Sequence, residues 1–296
     1  MGSLSILITG ATAGIGRHTA LALAKKGHRV FATGRREAAL ATLHDEAKGL
    51  KLETLVLDVT SPASIEAARQ EIARRTEGYG VDVLVNNAGY GLVGPLETIS
   101  DHDLRAQFDT NVFGLMAVTR AFVPAMRARG KGRIVNVSSV GGRITFPLMG
   151  AYTASKFALE SLSDALRMEL APFGLQVSLI EPGPIRTEFS DRALETVEKY
   201  RATDSPYAAV LSKAAAIQAQ VDKSSVGPEI VVKTIVRVIT ARRPNARYVT
   251  PYYMHFAVIL FRLLPTRLMD AIFRSFYGLT PRVLGTGQHA ASSATT

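Results

Sequence analysis

Thr9-Gly10-Ala11-Thr12-Ala13-Gly14-Ile15-Gly16 follows directly on the apolar run Ser5-Ile6-Leu7-Ile8 and leads into a stretch of amphipathic helical periodicity. Apolar strand, glycine turn and helix start therefore lie in one continuous segment. Glycine removes the Cβ atoms that would keep a bulky anion off the turn, and the helix start supplies N–H groups and a positive dipole end. Read in isolation, such a turn also serves as an ordinary strand–helix connection, so its neighbours must decide.

Outward from this turn, residues 4 to 181 alternate short β-branched runs with helical stretches. The pattern predicts strands at 5–9, 29–33, 51–57, 82–85, 132–137 and 176–180, and helices at 15–26, 36–47, 62–76, 101–128 and 153–171. This predicts an α/β fold, a doubly wound parallel sheet of the Rossmann type covered by helices on both faces. Ser61-Pro62 and Ser100-Asp101 are helix start signals. No repeat or linker divides the chain, so the expectation is one nucleotide-binding catalytic domain over 1–250. It would carry a substrate lid at about 188–223, an apolar helical C-terminal extension over 251–284 and a disordered tail over 285–296.

The 296 residues contain no Cys and six scattered His, which removes disulfides, thiol nucleophiles and Cys-ligated metals and leaves no H-E-x-x-H spacing, so no metal is expected. Lys and Arg number 35 against 25 Asp and Glu, a net charge of +10. Residues 201–296 carry 12 basic and 4 acidic groups, scattered through apolar sequence without a finger or RNA-binding aromatic signature, so no nucleic acid partner is expected. Met1-Gly2-Ser3 runs straight into apolar sequence without a basic leader or cleavage site, and Ile6 stands where N-myristoylation needs Ser or Thr. The expected compartment is the cytoplasm.

Several further residues join the glycine turn. Arg35 and Arg36 follow the second strand, where an NAD-preferring site carries an acid for the ribose 2′-hydroxyl; the guanidinium groups instead suit a 2′-phosphate, so NADP(H) is favoured, with NAD still open because Glu37 follows closely. The alternative is a solvated Arg pair at a helix start. Asp58 and Val59 end the third strand and Asn86-Asn87-Ala88-Gly89 the fourth, both at carboxyl ends where ligands collect in such sheets. Asp58 is a candidate acceptor for the adenine amino group, and the Asn87-Ala88-Gly89 backbone a candidate cofactor wall; a plain turn is the other reading.

Tyr152 and Lys156 stand four residues apart, hence on one helical face. A phenol with a pKa of about 10 is a poor base near neutrality, and a nearby ammonium favours the phenolate, giving a usable proton donor and acceptor for alcohol–carbonyl exchange. Ser139, just beyond the fifth strand, can hydrogen-bond an oxygen on which charge develops, with Ser138 as the competing hydroxyl. Asn111, in an apolar helical stretch, needs partners if buried; a water-linked proton path to Lys156 would provide them, and a helix cap or kink is the alternative.

These motifs, in this order and together with Pro182-Gly183, resemble those of the short-chain dehydrogenase/reductase family over about residues 3–250. The resemblance implies that Tyr152 is the general acid/base, that Ser139 polarises the carbonyl, that Lys156 holds the nicotinamide ribose and lowers the tyrosine pKa, and that Asn111 anchors a proton relay. It also implies cofactor contacts from Gly10, Thr12, Gly14, Ile15, Gly16, Tyr152 and Lys156, and from Pro182, Gly183, Ile185 and Thr187 beside the nicotinamide. Homodimers or homotetramers are usual in the family.

Substrate choice falls to the variable parts. Gly141, Phe146, Leu148 and Met149 in the loop before Tyr152, and Phe189 in the predicted lid, suggest an apolar pocket. Residues 252–277 are strongly apolar but interrupted by Arg262 and Pro265, too short to span a bilayer. Two short helices there would cap the pocket, lie on an anionic membrane surface or fill an oligomer interface. This tail and Arg35 are similar to the steroid- and retinoid-reducing branch, the 17β-hydroxysteroid dehydrogenases among it. The expected activity is NADP(H)-dependent interconversion of a lipophilic ketone or aldehyde with its alcohol. Small ketones, β-ketoacyl thioesters and a non-catalytic NADP(H) sensor are the alternatives.

Overall fold

The computed structural model describes residues 2–201 and 205–284. The elements run β1 Ser5–Ile8, α1 Gly14–Lys25, β2 Arg29–Gly34, α2 Glu37–Glu46, β3 Leu52–Val56, α3 Pro62–Arg75, β4 Val83–Asn86, α4 Asp101–Phe108, α5 Leu115–Ala128, β5 Gly132–Val137, α6 Gly150–Leu170 and β6 Leu175–Pro182. They continue with α7 Glu188–Tyr200, α8 Ala208–Leu211, α9 Ala214–Lys223, α10 Glu229–Thr240, β7 Arg247–Thr250, α11 Met254–Leu263, α12 Thr266–Tyr277 and α13 Pro281–Leu284.

Seven strands form one parallel sheet in the order β3-β2-β1-β4-β5-β6-β7. The order reverses at β1–β4, which opens a crevice at the carboxyl ends of the strands. Strand alternation sorts the side chains. Ile6 and Ile8 pack with Ala20, Leu23, Ile235 and Val238 of α1 and α10, whereas Leu7 turns to the opposite face with Ile72, Phe122 and Met126 of α3 and α5. Full burial of each large apolar side chain contributes about 1.5–3 kcal/mol.

The α/β reading holds, and two details differ from it. The sequence pattern predicts six strands, but Arg247–Thr250 adds a seventh at the edge beside β6; three half-buried residues and a buried Thr250 after a loop give too little alternation to read. The helix predicted at 101–128 is divided: a π-helical turn at Asp109–Gly114 separates α4 from α5. Ser61 and Ser100 accept hydrogen bonds from Ser64 N and Asp103 N, so both start signals act as caps. Among the described residues, the segment 188–223 holds three helices and the chain beyond 250 holds three more. The tail expected over 285–296 lies outside the described residues. Among the described residues no helix is long and apolar enough to cross a membrane.

Candidate active site

The glycine turn is built against the end of β4. Asn87 Nδ2 donates to the carbonyls of Thr9 and Gly10 at 3.0 Å each, and Thr9 Oγ1 accepts from the backbone of Asn87 and Ala88 at 3.0 Å. Asn87 and Ala88 are therefore stapled to the turn rather than forming a free one of their own. A Cβ on Gly10, whose φ is +64°, would meet Ala88 Cα at 2.8 Å; one on Gly16 would meet Asn87 Nδ2 and Gly10 O at 2.4 Å. Ala13 precedes α1 without any side-chain cap and no acid stands in its first turn. The turn thus fits an anionic cofactor: tight packing demands glycine, and the helix start has no capping residue of its own.

Around it, Thr12 abuts Gly34 at the end of β2, and Ile15 packs into the core. Arg35 and Arg36 are exposed just beyond. Burial raises the Tyr90 phenol, and the Arg35 charge opposes that rise. Asp58 Oδ1 accepts from Thr60 N at 2.9 Å and Thr60 Oγ1 at 2.7 Å, closing its own turn, while Val59 is buried against Gly114.

Tyr152 and Lys156 sit one turn apart on α6, 7% and 6% exposed, with Lys156 Nζ 5.8 Å from the Tyr152 ring centroid. Lys156 Nζ donates to Val137 O at 2.9 Å, at the end of β5. Burial pushes the Tyr152 phenol up to about 12, opposed by its hydrogen bond with Ser139, and pushes Lys156 down to about 8. A Cβ on Gly141 would meet both Ser139 Oγ and Tyr152 Cε1 at 3.3 Å, so hydroxyl and phenol share one wall. Ser139 Oγ accepts from Gly141 N at 3.0 Å. Ser138 is buried beside Glu160.

Asn111 lies within the π-helical turn, 1% exposed. Its amide donates to Tyr90 O and to Ser155 Oγ at 3.0 Å each, and its Oδ1 accepts from Tyr90 N at 3.2 Å. It neither caps a helix nor lacks partners. The widened turn aims it at Gly89, where an added Cβ would lie 3.0 Å from Asn111 Oδ1 and 3.9 Å from Lys156 Nζ.

On the substrate side, the Phe189 ring lies 5.5 Å from the Tyr152 ring, tilted by 57°. Met149 immediately precedes α6. Phe146 packs on Phe273 of α12, edge-to-face at 5.6 Å. Val258 of α11 is buried with Val140 and Ile144, and Met254 comes within 3.0 Å of the Cβ position of Gly183. The C-terminal helices thus cover the loop before the candidate catalytic helix. Pro182 and Gly183 follow β6, Ile185 pairs in parallel with Val226, and Thr187 caps α7 beside Gly14.

Three groups escaped the sequence reading. Glu188 accepts from Gly14 N at 3.0 Å. Asp103 of α4 takes Lys199 and Tyr200 of α7. Arg143 and Arg247, both half-buried, pair with the buried carboxylates of Glu160 and Glu181, Glu160 lying one turn from Lys156 on α6. Only Glu160 carried a usable signal, its four-residue spacing from Lys156.

The family model for short chain dehydrogenases matches residues 5–198. The chain belongs to the short-chain dehydrogenase/reductase family. This dehydrogenase is 39% identical over 270 residues to the uncharacterized oxidoreductase YbbO of Escherichia coli (strain K12), spanning 90% of this chain and 93% of that one. It is 38% identical over 255 residues to human 17-beta-hydroxysteroid dehydrogenase type 1, spanning 83% and 76%. The crystal structure of a Burkholderia phymatum short chain dehydrogenase/reductase in complex with NAD matches with a TM-score of 0.77 at 29% identity, over 88% of this chain and 93% of that one. The chain is an NAD(P)-dependent oxidoreductase, as the sequence motifs imply.

Proposed function

We propose that this dehydrogenase interconverts a lipophilic ketone or aldehyde with its alcohol, using NADP(H), with Tyr152 as general acid/base. The observation that carries the reading is the wall on which the buried Tyr152 phenol, the Ser139 hydroxyl and the Phe189 ring converge, one helical turn from Lys156.

The reduced nicotinamide, when bound, supplies the hydride. The turn from Gly10 to Gly16, with Ala88 and Thr187, would hold its phosphates and Arg35 its 2′-phosphate; no acid stands at the end of β2 to repel that group. Ser139 would donate to the substrate oxygen as negative charge grows there, and the Tyr152 proton would pass to the same oxygen. A phenol held high by burial is a reluctant base but keeps its proton until an alkoxide-like oxygen arrives, which suits reduction. Lys156 and the Asn111 cluster would return a proton to Tyr152 and hold its geometry.

A lipophilic substrate is supported by the apolar face of Phe189, by the helices over 188–223 read as a lid, and by the similarity to a hydroxysteroid dehydrogenase. α11 and α12 expose Phe256, Leu260, Leu263, Leu268 and Ile272 beside Arg262, Arg267 and Arg274, a surface suited to an oligomer interface or an anionic membrane face. Oxidation of NADPH and of NADH against carbonyls graded by size and lipophilicity tests the reading. Turnover that favours NADPH and rises with lipophilicity is expected; equal use of NADH, or a preference for small ketones, overturns the corresponding half.

A further inference from the structure

Tyr152, Lys156, Glu160 and Asp164 recur at every fourth residue of α6, so the helix carries one row of a phenol, an ammonium and two carboxylates. The first three are less than a tenth exposed. A buried ammonium loses its hydration and needs a counter-charge to stay protonated. The Lys156 hydrogen bond to Val137 O supplies a neutral acceptor only. Among the described residues, Glu160 is the group whose charge favours the ammonium.

Glu160 is itself built into the fold. Its Oε2 accepts from Arg247 Nε of β7 at 2.9 Å, and the same guanidinium reaches Asp164 Oδ2 at 2.6 Å and Glu181 Oε1 at 3.3 Å. Glu181 of β6, fully buried, also takes Arg143 from the loop before α6 at 3.0 Å. Glu160 Oε1 has no protein partner and lies beside the equally unpartnered Ser138 Oγ, on the side toward β5. The charged groups facing Glu160 are thus Lys156 and Asp164 on its own helix, Glu181 from β6 and Arg247 from β7, with Arg143 balancing Glu181. A Cβ on Gly142 would strike Glu160 Cγ and Ser138 Oγ at 2.9 Å, so glycine is required where the loop closes over this carboxylate.

We propose that Glu160, held by Arg247, is a positioning residue that keeps the buried Lys156 charged, and so ties the last strand of the sheet to proton transfer at Tyr152. This rests on the reading of Tyr152 and Lys156 as the proton-transfer pair. Burial and the adjacent Glu181 raise the Glu160 carboxyl, while burial lowers the Lys156 ammonium. Arg247 opposes the rise that Glu181 imposes, which favours the charged carboxylate one helical turn from Lys156.

The test is the titration of Lys156 in the full-length, cofactor-free protein, followed by NMR of 13C,15N-labelled lysine side chains, with Lys156→Arg to assign the signal. Glu160→Gln, which preserves shape, removes the counter-charge and is expected to lower the Lys156 midpoint by about one pH unit. Glu160→Asp keeps the charge and is expected to stay within about half that shift; it also decides the matter should the glutamine variant fail to fold. The basic limb of the pH–rate profile should move down with the midpoint in Glu160→Gln. An unchanged midpoint in Glu160→Gln, or a fall of a full unit in Glu160→Asp, overturns the proposal. Because the titration needs no turnover, an enzyme that reduced no carbonyl would defeat the proposed function and still leave the Glu160 inference decided.

Discussion

The Glu188 carboxylate accepts a hydrogen bond from the backbone N–H of Gly14 at 3.0 Å, joining the first residue of α7 to the first residue of α1. A carboxylate there borrows the positive end of α1 that a bound pyrophosphate would use. Glu188→Gln is expected to tighten NADPH binding about fivefold, corresponding to about 1 kcal/mol, in a calorimetric titration. Unchanged or weaker binding would mean that the carboxylate does not compete for this position.

Arg35 is the second lever on the cofactor. Arg35→Asp exchanges a partner for the 2′-phosphate for a group that repels it and accepts from a 2′-hydroxyl. The loss of a charged hydrogen bond, about 1.5–3 kcal/mol, predicts NADPH affinity roughly ten- to hundredfold weaker, with NADH binding retained or improved. Equal losses for both cofactors would place Arg35 outside the discriminating contact.

Asp103 bridges α4 to Lys199 and Tyr200 near the end of α7, and these hydrogen bonds hold its carboxyl well below the usual aspartate range. The Tyr200 phenol is pushed up to about 12 by burial and by the carboxylate beside it. A depressed carboxyl contributes stability that is fully present above its unfolded pKa of about 4 and is lost as the pH falls through its lower folded value. Asp103→Asn is therefore expected to melt at lower temperature than the wild type at pH 7 and pH 5, and to cleave faster in 188–200 under limited proteolysis. The difference should close only in more acidic solution. A melting difference already absent at pH 5 would contradict this.

Phe273 packs on Phe146 edge-to-face and on Phe261 with its ring stacked at 5.4 Å, so it links α11 and α12 to the loop before α6. Each such ring pair is worth about 0.5–1.5 kcal/mol beyond the area it buries. Phe273→Ala should lower the melting temperature by a few degrees and raise KM for a bulky lipophilic carbonyl several-fold while sparing a small ketone. Parallel changes for both substrates would make the packing a matter of stability alone.

The glycine turn, the strand ends and the Tyr152-Lys156 pair were legible because each rests on contacts within a few residues or on a fixed strand–turn–helix geometry. Asn111 was legible as a polar residue in an apolar stretch, but its partner Ser155 and the π-helical turn that aims it were not, since a single extra residue in a helix leaves the apolar pattern almost unchanged. β7 escaped because an edge strand of four residues has little periodicity of its own. Arg247 joins Glu160 across 87 positions and Glu188 reaches Gly14 across 174. Pairings of that separation are set by the sheet order and leave no local trace.

The central claim is proton transfer from Tyr152. The most direct measurement is single-turnover oxidation of NADPH with a lipophilic ketone by Tyr152→Phe, beside NADPH binding by the same variant. The account predicts that binding stays within a few-fold of the wild type while the rate falls by at least about 10²-fold, the range of a lost general acid. Wild-type turnover by Tyr152→Phe would contradict it.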